Sequence, residues 1–387
     1  MDPDALRALV DGLDRNYLAT GRLPHMQLLI SREEEVLVHV TRGRARESGA
    51  ALREDSLFRI ASMTKPLTSV AFMMLVERGL VALDDPVSLV LPEFAHLKVG
   101  QRNRSKPARP MRMIDLLTHM SGLTYGLQHR TPIDARYRKL GLDEFQQARS
   151  SNEFIAALAA LPLEFSPGTA WNYSLSTDVL GVIVERLAGM DLQSLFRAWI
   201  CDPLAMPDTW FELPDDRVER MPDAWRLRGD GTLHVADLGV RSGFRRKGRF
   251  LSGGGGLIST TADYHRFTRM LLRGGELDGV RVLQPATVAA MHANQLPGGA
   301  DIAALAVGDF GEATATVTGF GLGFAMDLAT SQYYWGGIFS TFFFVDPIER
   351  LIGIFMTQMV PSNIYPVREQ LRAGVNRSIL RSLAPPV

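Results

Sequence analysis

The sequence has little cysteine and no excess of charge of either sign. Cys201 is the only cysteine among 387 residues, which excludes an internal disulfide and a cysteine-based zinc site. Its apolar neighbours indicate a buried structural thiol rather than a nucleophile. Lysine plus arginine and aspartate plus glutamate each number 42, so the net charge is zero. The composition therefore predicts no binding of nucleic acid and no attraction to an anionic membrane.

Long apolar runs are also missing. No segment reaches the length of a transmembrane helix, and the acidic start lacks the basic region and the apolar core of a signal peptide. We therefore expect a cytoplasmic protein without a membrane partner. With 46% apolar residues, a chain of this length suits one two-lobed unit or two domains.

Several common catalytic signatures are absent as well. The chain has no G-x-S-x-G, no H-E-x-x-H and no phosphate-binding G-x-x-x-x-G-K-S/T, and its eight histidines show no metal-ligand spacing. Residues 319–324 lack the third glycine of a dinucleotide loop and are interpreted as a strand entry. His119, near a turn after an apolar run, is interpreted as structural. The sequence thus predicts no metal and no cofactor, and a serine nucleophile would need a base other than histidine.

The order of the predicted elements indicates an α+β fold. Two apolar stretches near the start, residues 26–31 and 36–41, predict paired strands, and strand character returns in residues 333–358. Helical patterns and loops dominate the region between them, and residues 367–383 predict an amphipathic helix. We expect a single unit in which residues 1–60 and 250–387, approximately, form one sheet-containing lobe. A mainly helical lobe, approximately residues 61–249, is inserted between its halves.

The sequence does contain a serine one helical turn before a lysine. Ser62 and Lys65 begin a segment whose apolar residues recur every three or four positions, with Pro66 in its first turn and Gly79 beyond its end. This spacing puts a hydroxyl and an amine on the same helix face. A helix cap followed by a solvated lysine has the same pattern, so the pair alone does not establish a site.

Two later segments carry further candidates. Tyr173 lies on a loop entering a predicted helix, where its phenol can point into a cleft, although an isolated tyrosine there is usually a packing residue. Gly336 and Gly337 stand early in an otherwise bulky strand. Glycine in a strand often marks the close approach of a ligand or of another backbone.

Taken in this order, the S-x-x-K pair, the Tyr-Ser pair and the Trp-Gly-Gly strand resemble the serine β-lactamase-like superfamily, and within it the family VIII carboxylesterases. Five segments carry the resemblance over most of the chain, at residues 55–69, 115–126, 165–189, 252–267 and 335–347. The resemblance implies a β-lactamase-like fold, an antiparallel sheet flanked by helices, with the active site between the sheet and the helical lobe. It also implies a serine esterase.

The resemblance assigns roles to particular residues. Ser62 would attack an ester carbonyl to form an acyl-enzyme, and Lys65 with Tyr173 would transfer the protons, because a serine hydroxyl needs a neighbouring base. Which of the two is the formal base stays open, since coupled groups titrate as a unit. The backbone N–H groups of Ser62 and Ile338 would form the oxyanion hole.

Departures from the lactamase pattern point to esters. Lactamases and D-Ala-D-Ala peptidases carry Lys-Thr-Gly where this chain has Trp335, Gly336 and Gly337, and Leu175 replaces the asparagine of their Tyr-x-Asn motif. The missing cation and amide indicate short-chain neutral esters as substrates. The expected substrate contacts are these four residues and Tyr125, an aromatic residue on a loop.

Two other functions stay open. A β-lactamase or D-Ala-D-Ala peptidase would need a cation for the substrate carboxylate. Arg245 or Arg246 could supply it from the basic stretch at residues 241–249, which is otherwise interpreted as a solvated loop. A non-catalytic binding protein on the same fold is less consistent with the presence of all three proposed catalytic side chains. The expected partner is a small-molecule ester, and the sequence indicates no oligomeric state.

Overall fold

The structure is a computed structural model that describes residues 1–100, 106–107, 109–246, 248–308 and 317–383. Its α-helices are α1 (Pro3–Leu13), α2 (Thr64–Glu77), α3 (Met113–Leu117), α4 (Pro132–Lys139), α5 (Ser151–Ala159), α6 (Ser176–Ala188), α7 (Leu192–Phe196), α8 (Thr261–Leu272), α9 (Pro285–Met291), α10 (Ile302–Leu305) and α11 (Val367–Leu383). Its strands are β1 (His25–Arg32), β2 (Glu35–Gly43), β3 (Phe58–Arg59), β4 (Lys98–Val99), β5 (Lys106–Pro107), β6 (Gln146–Gln147), β7 (Ala224–Leu227), β8 (Leu233–Asp237), β9 (Phe250–Leu251), β10 (Ile258–Ser259), β11 (Glu276–Leu277), β12 (Val280–Arg281), β13 (Thr318–Phe320), β14 (Ala325–Asp327), β15 (Tyr333–Gly336), β16 (Phe342–Asp346), β17 (Leu351–Met356) and β18 (Met359–Val360).

One antiparallel sheet joins the two ends of the chain. Within the described ranges it has seven strands in the order β13-β14-β15-β16-β17-β1-β2. β1 pairs with β17, with Gln27 opposite Met356 and Arg32 opposite Leu351. The strands β15, β16 and β17 are buried along their whole length and rich in aromatic and aliphatic residues, as expected for strands covered on both faces.

Helices cover both faces of this sheet. Phe342 and Phe343 are neighbours in β16 and therefore face opposite sides. Arg368 of α11 lies over the ring of Phe342, and Tyr264 of α8 contacts the ring of Phe343, with the two ring centroids 5.1 Å apart. Helix α1 packs against α11, so the first and last helices share one layer.

The segment between the two halves of the sheet is mainly helical. Helix α2 packs against α6, and residues 64–75 of α2 are buried on every face, including Lys65. Short strand pairs tie this segment to the rest of the chain, as where β18 pairs with β7. The predicted α+β fold is confirmed, while the predicted lobe limits near residues 60 and 250 stay a prediction. No helix in the described ranges has both the length and the apolar character needed to cross a membrane.

Candidate active site

A cavity of about 450 Å³ opens between the start of α2, the loop before α6 and the strand β15. It brings together most of the residues that the sequence singled out. The predicted site residues that line it are Ser62, Tyr125, Tyr173, Trp335, Gly336, Gly337 and Ile338.

Ser62 is the point where two of the predicted partners meet. It lies in a short 3-10 turn, Ala61–Met63, directly before α2, and the preceding Ala61 has a left-handed φ of 44°. The Tyr173 hydroxyl donates to Ser62 Oγ at 2.6 Å, and Lys65 Nζ donates to the same oxygen at 3.2 Å. A serine hydroxyl in contact with both an amine and a phenol can exchange its proton with either group.

Lys65 is buried, and its amine is surrounded by oxygen atoms. Besides Ser62, it donates to the Tyr125 hydroxyl at 3.1 Å and to the Gly254 carbonyl at 2.6 Å. Burial lowers the pKa of Lys65 to about 7, because desolvation disfavours the charged amine and the nearby Asp178 carboxylate opposes this only in part. Near neutral pH, a large fraction of the amine is therefore uncharged and able to accept a proton.

Burial shifts the pKa of Tyr173 in the direction opposite to that of Lys65. Burial raises the pKa of its phenol above the ordinary value, against the influence of the Ser62 hydroxyl, the Trp335 indole and the Arg368 guanidinium. The phenol therefore keeps its proton near neutral pH and is suited to donate it.

Two backbone N–H groups at the cavity are available as donors. Among the described residues, neither the N–H of Ser62 nor that of Ile338 has a hydrogen-bond acceptor. The residue before Ile338 is fixed, since the Gly337 N–H donates to the Thr341 carbonyl at 2.9 Å. Two N–H groups without a protein acceptor, on residues that line the same cavity, are candidates to hold a developing oxyanion.

Both glycines of the strand end are required by close neighbours. A Cβ on Gly337 would lie 2.5 Å from the Ile60 carbonyl oxygen and 2.4 Å from the Thr341 hydroxyl. A Cβ on Gly336 would lie 2.4 Å from the guanidinium carbon of Arg368. A side chain at position 337 would therefore displace the backbone that carries the Ile338 N–H, and a side chain at position 336 would displace the Arg368 guanidinium.

Asp178 is a site residue that the sequence analysis missed. Its Oδ1 accepts hydrogen bonds from Ser252 Oγ at 2.5 Å and from the Gly254 N–H at 3.1 Å, and the carbonyl of Gly254 faces Lys65. Asp178 thus holds the glycine turn that orients the amine. A Cβ on Gly254 would lie 2.2 Å from the Asp178 carboxylate. The four consecutive glycines at residues 253–256 were the signal, because such a tract marks close approach.

Arg368 of α11 is a second residue that was missed. Its buried guanidinium donates to the Gly337 carbonyl at 2.8 Å and to the Thr341 carbonyl at 3.0 Å. Burial lowers the pKa of Arg368 to about 10, with Tyr173 acting in the opposite direction. Arg368 therefore fixes the turn that presents Ile338. Its place on a charged amphipathic helix gave no local signal.

Comparison with known proteins identifies the family. The family model described as Beta-lactamase matches residues 10–375. The chain belongs to the beta-lactamase family. Protein Rv1367c of Mycobacterium tuberculosis is 35% identical over 372 residues, which cover 92% of this chain and 90% of the relative. The esterase EstB of Burkholderia gladioli is 38% identical over 214 residues, 54% of this chain and 53% of EstB.

A solved structure agrees with this assignment. EstCE1, described as a hydrolase with promiscuous acyltransferase activity, superposes with a TM-score of 0.82 at 25% identity, covering 96% of this chain and 99% of EstCE1. The predicted β-lactamase-like fold is confirmed. EstB and EstCE1 also support the predicted membership of the family VIII carboxylesterases and the predicted class of enzyme, a carboxylic ester hydrolase.

One residue that was predicted to contact the substrate lies away from the cavity. Leu175 does not line the cavity but is buried in the core. The backbone leaves the extended conformation at Leu175 (φ −66°, ψ 13°) and turns into α6. Residues two apart share a face only in an extended strand, so Leu175 does not continue the face of Tyr173.

The arginines considered as a replacement cation lie outside the cavity. Arg245 pairs with Asp215 at 2.8 Å and donates to the Val240 carbonyl, and Arg246 is exposed. Neither lines the cavity. Among the described residues of the basic stretch, Arg241, Gly243, Arg246 and Arg249 are exposed, while Ser242 and Phe244 are buried.

The side chains of His119 and Cys201 are both buried. The ring of His119 packs against that of Tyr173, with centroids 4.9 Å apart, and burial holds the pKa of His119 well below its ordinary value. Burial raises the pKa of the Cys201 thiol to about 12, so the thiol is unreactive near neutral pH. No group of three His, Cys, Asp or Glu side chains in the described part of the chain suits a metal ion.

Proposed function

We propose that this protein hydrolyses carboxylic esters through an acyl-enzyme on Ser62. The observation that carries the proposal is the convergence of Lys65 Nζ and the Tyr173 hydroxyl on Ser62 Oγ, in a cavity that also presents the free N–H of Ile338. The relatives EstB and EstCE1 support an esterase or acyltransferase activity on this fold.

In the acylation step, Ser62 Oγ attacks the carbonyl carbon of the ester while its proton passes to the Lys65 amine. The lowered pKa of Lys65 makes this transfer accessible near neutral pH, and the raised pKa of Tyr173 favours the phenol as donor. The N–H groups of Ser62 and Ile338 stabilise the oxyanion of the tetrahedral intermediate. Collapse expels the alkoxide, which takes the Tyr173 proton, and the proton on Lys65 restores the phenol.

In the deacylation step, a water molecule attacks the acyl carbon in the same oxyanion hole. The proton-transfer unit of Lys65 and Tyr173 takes a proton from the water. Ser62 leaves as the alcohol after regaining a proton, and the carboxylic acid is released. The same side chains thus serve both half-reactions in opposite directions.

We further propose that the group next to the scissile bond is apolar and short. Trp335 is buried, with its ring centroid 5.3 Å from that of Tyr173 and 5.4 Å from that of Phe320, so it forms a fixed aromatic wall. Tyr125 adds a second aromatic surface. Each methylene buried there gains roughly 0.8 kcal/mol until the cavity is filled. Acetate and butyrate esters should therefore be good substrates and palmitate esters poor ones.

A second candidate is β-lactam hydrolysis, which membership of the beta-lactamase family favours. Trp335 disfavours it, because an indole stands where the resemblance places the cation for a substrate carboxylate. A carboxylate beside the scissile bond would lose its water without gaining a partner.

The test uses p-nitrophenyl butyrate and nitrocefin with the purified protein. We expect turnover of the butyrate ester, and mass spectrometry of quenched enzyme should find a butyryl group on the peptide that contains Ser62. A phosphonate inhibitor should label the same peptide. Turnover without an adduct on Ser62 would contradict the acyl-enzyme. Comparable kcat/KM for nitrocefin would favour the lactamase.

A further inference from the structure

The outer wall of the active-site cavity carries two charged side chains that the proposed chemistry at Ser62 does not use. These are Arg130 and Asp143, both from the segment that follows Tyr125. The two differ in how the surrounding protein compensates their charge.

The charge of Asp143 is compensated only in part. Burial raises the pKa of its carboxyl, and the N–H groups of Gly126 and Leu127 together with the nearby Arg138 act against this. The Leu127 N–H donates to Asp143 Oδ2 at 2.9 Å. These groups offset only part of the desolvation, because the pKa of Asp143 stays above its ordinary value and its Oδ1 has no hydrogen-bond partner among the described residues.

Arg130 is an exposed residue, and within the described ranges its guanidinium donates to no carboxylate. Its guanidinium donates to Gln128 Oε1, to Asn172 Oδ1 at 2.9 Å and to the Val307 carbonyl, all of which are neutral. The nearby Asp134 carboxylate accepts from the backbone N–H of Arg130 at 2.5 Å and not from its guanidinium. The Glu164 carboxylate accepts from the Thr131 hydroxyl, and the Arg130 charge acts on it from a distance, against the burial that raises the pKa of Glu164. The neutral acceptors orient the cation without neutralising it.

The same contacts tie Arg130 to the reacting centre. Gln128 Nε2 donates to the Tyr173 carbonyl at 2.6 Å, and its Oε1 accepts from Arg130 Nε at 3.0 Å. Asn172, the other side-chain partner of Arg130, precedes Tyr173 in the chain. A guanidinium that donates only to neutral groups is thus held on the cavity wall, close to the backbone of the proposed proton donor.

We propose that Arg130 binds an anionic group on the substrate, at the end remote from the scissile bond. The inference rests on the proposed esterase function and names its substrate class: esters that carry a carboxylate several bonds from the reacting carbonyl, such as half-esters of dicarboxylic acids. The aromatic wall of Trp335 keeps the reacting end apolar. The guanidinium has more N–H donors than its neutral partners use, so it can donate to the carboxylate as well as attract it.

The first measurement compares esters that differ only in a terminal charge. Mono-4-nitrophenyl adipate and its methyl ester have the same acyl chain, and the ratio of their kcat/KM values reports recognition of the carboxylate. Arg130→Gln should lower this ratio about tenfold, and Arg130→Lys should retain most of it. Arg136→Gln, which removes an exposed arginine of α4 outside the cavity, should keep the wild-type ratio. Added salt should lower the wild-type ratio and leave that of Arg130→Gln unchanged.

Repeating the comparison from adipate to sebacate tests the geometry, because a fixed cation predicts one preferred chain length. Good turnover of the neutral esters with a ratio that Arg130→Gln does not change at any length would overturn the anion site and leave the esterase intact.

The second measurement separates this inference from the proposed function. Isothermal titration of the Ser62→Ala variant with the same pair of esters measures binding without turnover. We expect the adipate half-ester to bind more tightly than its methyl ester, with the difference lost when Arg130→Gln is added. If no ester is hydrolysed but this difference is present, the anion site stands and the esterase proposal falls. If neither turnover nor the difference is found, both are overturned.

Discussion

The two sides of the cavity contribute different parts of the chain. On the helical side, Ser62, Lys65 and Tyr173 present side-chain atoms that meet within hydrogen-bond distance of one oxygen. On the sheet side, Gly336 and Gly337 present backbone and leave no room for a Cβ. By the proposed mechanism, activity should be lost when side-chain atoms are removed on the helical side. On the sheet side, activity should be lost when a side chain is added.

Each side is also held by a buried charge from a distant segment. Asp178 fixes the turn whose Gly254 carbonyl orients Lys65, and Arg368 fixes the carbonyls of Gly337 and Thr341. Asp178 therefore helps to position the Lys65 amine. Arg368 helps to position the backbone N–H of Ile338. Four predictions test this division of roles.

The largest effect is expected from removing the nucleophile on the helical side. Ser62→Ala should lower kcat for p-nitrophenyl butyrate by about three orders of magnitude or more, because no covalent route remains. Its thermal midpoint should stay close to that of the wild type. Ser362→Ala, which changes another serine of the cavity lining, should lose far less activity. A Ser62→Ala variant with a tenth of wild-type activity would exclude Ser62 as the nucleophile.

The next effect concerns the two proton-transfer groups. Lys65→Ala and Tyr173→Phe should each lower kcat nearly as much as the double variant does, because both groups act on the same Ser62 oxygen. The measurement is kcat of the two single variants and of the double variant, with the same ester. Losses that multiply in the double variant would mean that the two residues act independently.

On the sheet side, the addition of one methyl group should be enough to lower kcat. Gly337→Ala should lower kcat on the order of 10²–10³-fold, since its Cβ would displace the turn that carries the Ile338 N–H. Gly229→Ala is the matched control, because Gly229 is exposed with open space around it. A Gly337→Ala variant that folds and keeps the wild-type kcat would remove Ile338 from the oxyanion hole.

The smallest effect is a shift along the pH axis. If neutral Lys65 accepts the serine proton, kcat/KM should fall about tenfold for each pH unit below its pKa of about 7 and level off above it. The Asp178 carboxylate raises the pKa of Lys65, so Asp178→Asn should lower that pKa and move the acid limb to lower pH. A limb that stays in place, or that moves to higher pH, would contradict this electrostatic role.

The sequence by itself determined the local elements and the residues that stand out within them. The predicted strands at residues 26–31 and 36–41 lie within β1 and β2, and the predicted helix at 367–383 is α11. These succeeded because hydrophobic periodicity is written in consecutive residues. Ser62, Tyr173 and Gly337 were found for a related reason, since each stands at the boundary of an element or breaks its pattern.

Only the tertiary structure decided which charges are buried and what they face. Lys65 at the start of a helix has the local pattern of a solvated lysine, and it is buried because the whole of α2 is covered. Asp178 and Arg368 look like ordinary charged residues of α6 and α11, yet they hold segments 76 and 31 residues away. The guanidinium of Arg130 donates to neutral groups because the fold places Asn172 and Val307 beside it. Burial, pKa and charge compensation depend on distances in space, which local sequence periodicity does not encode.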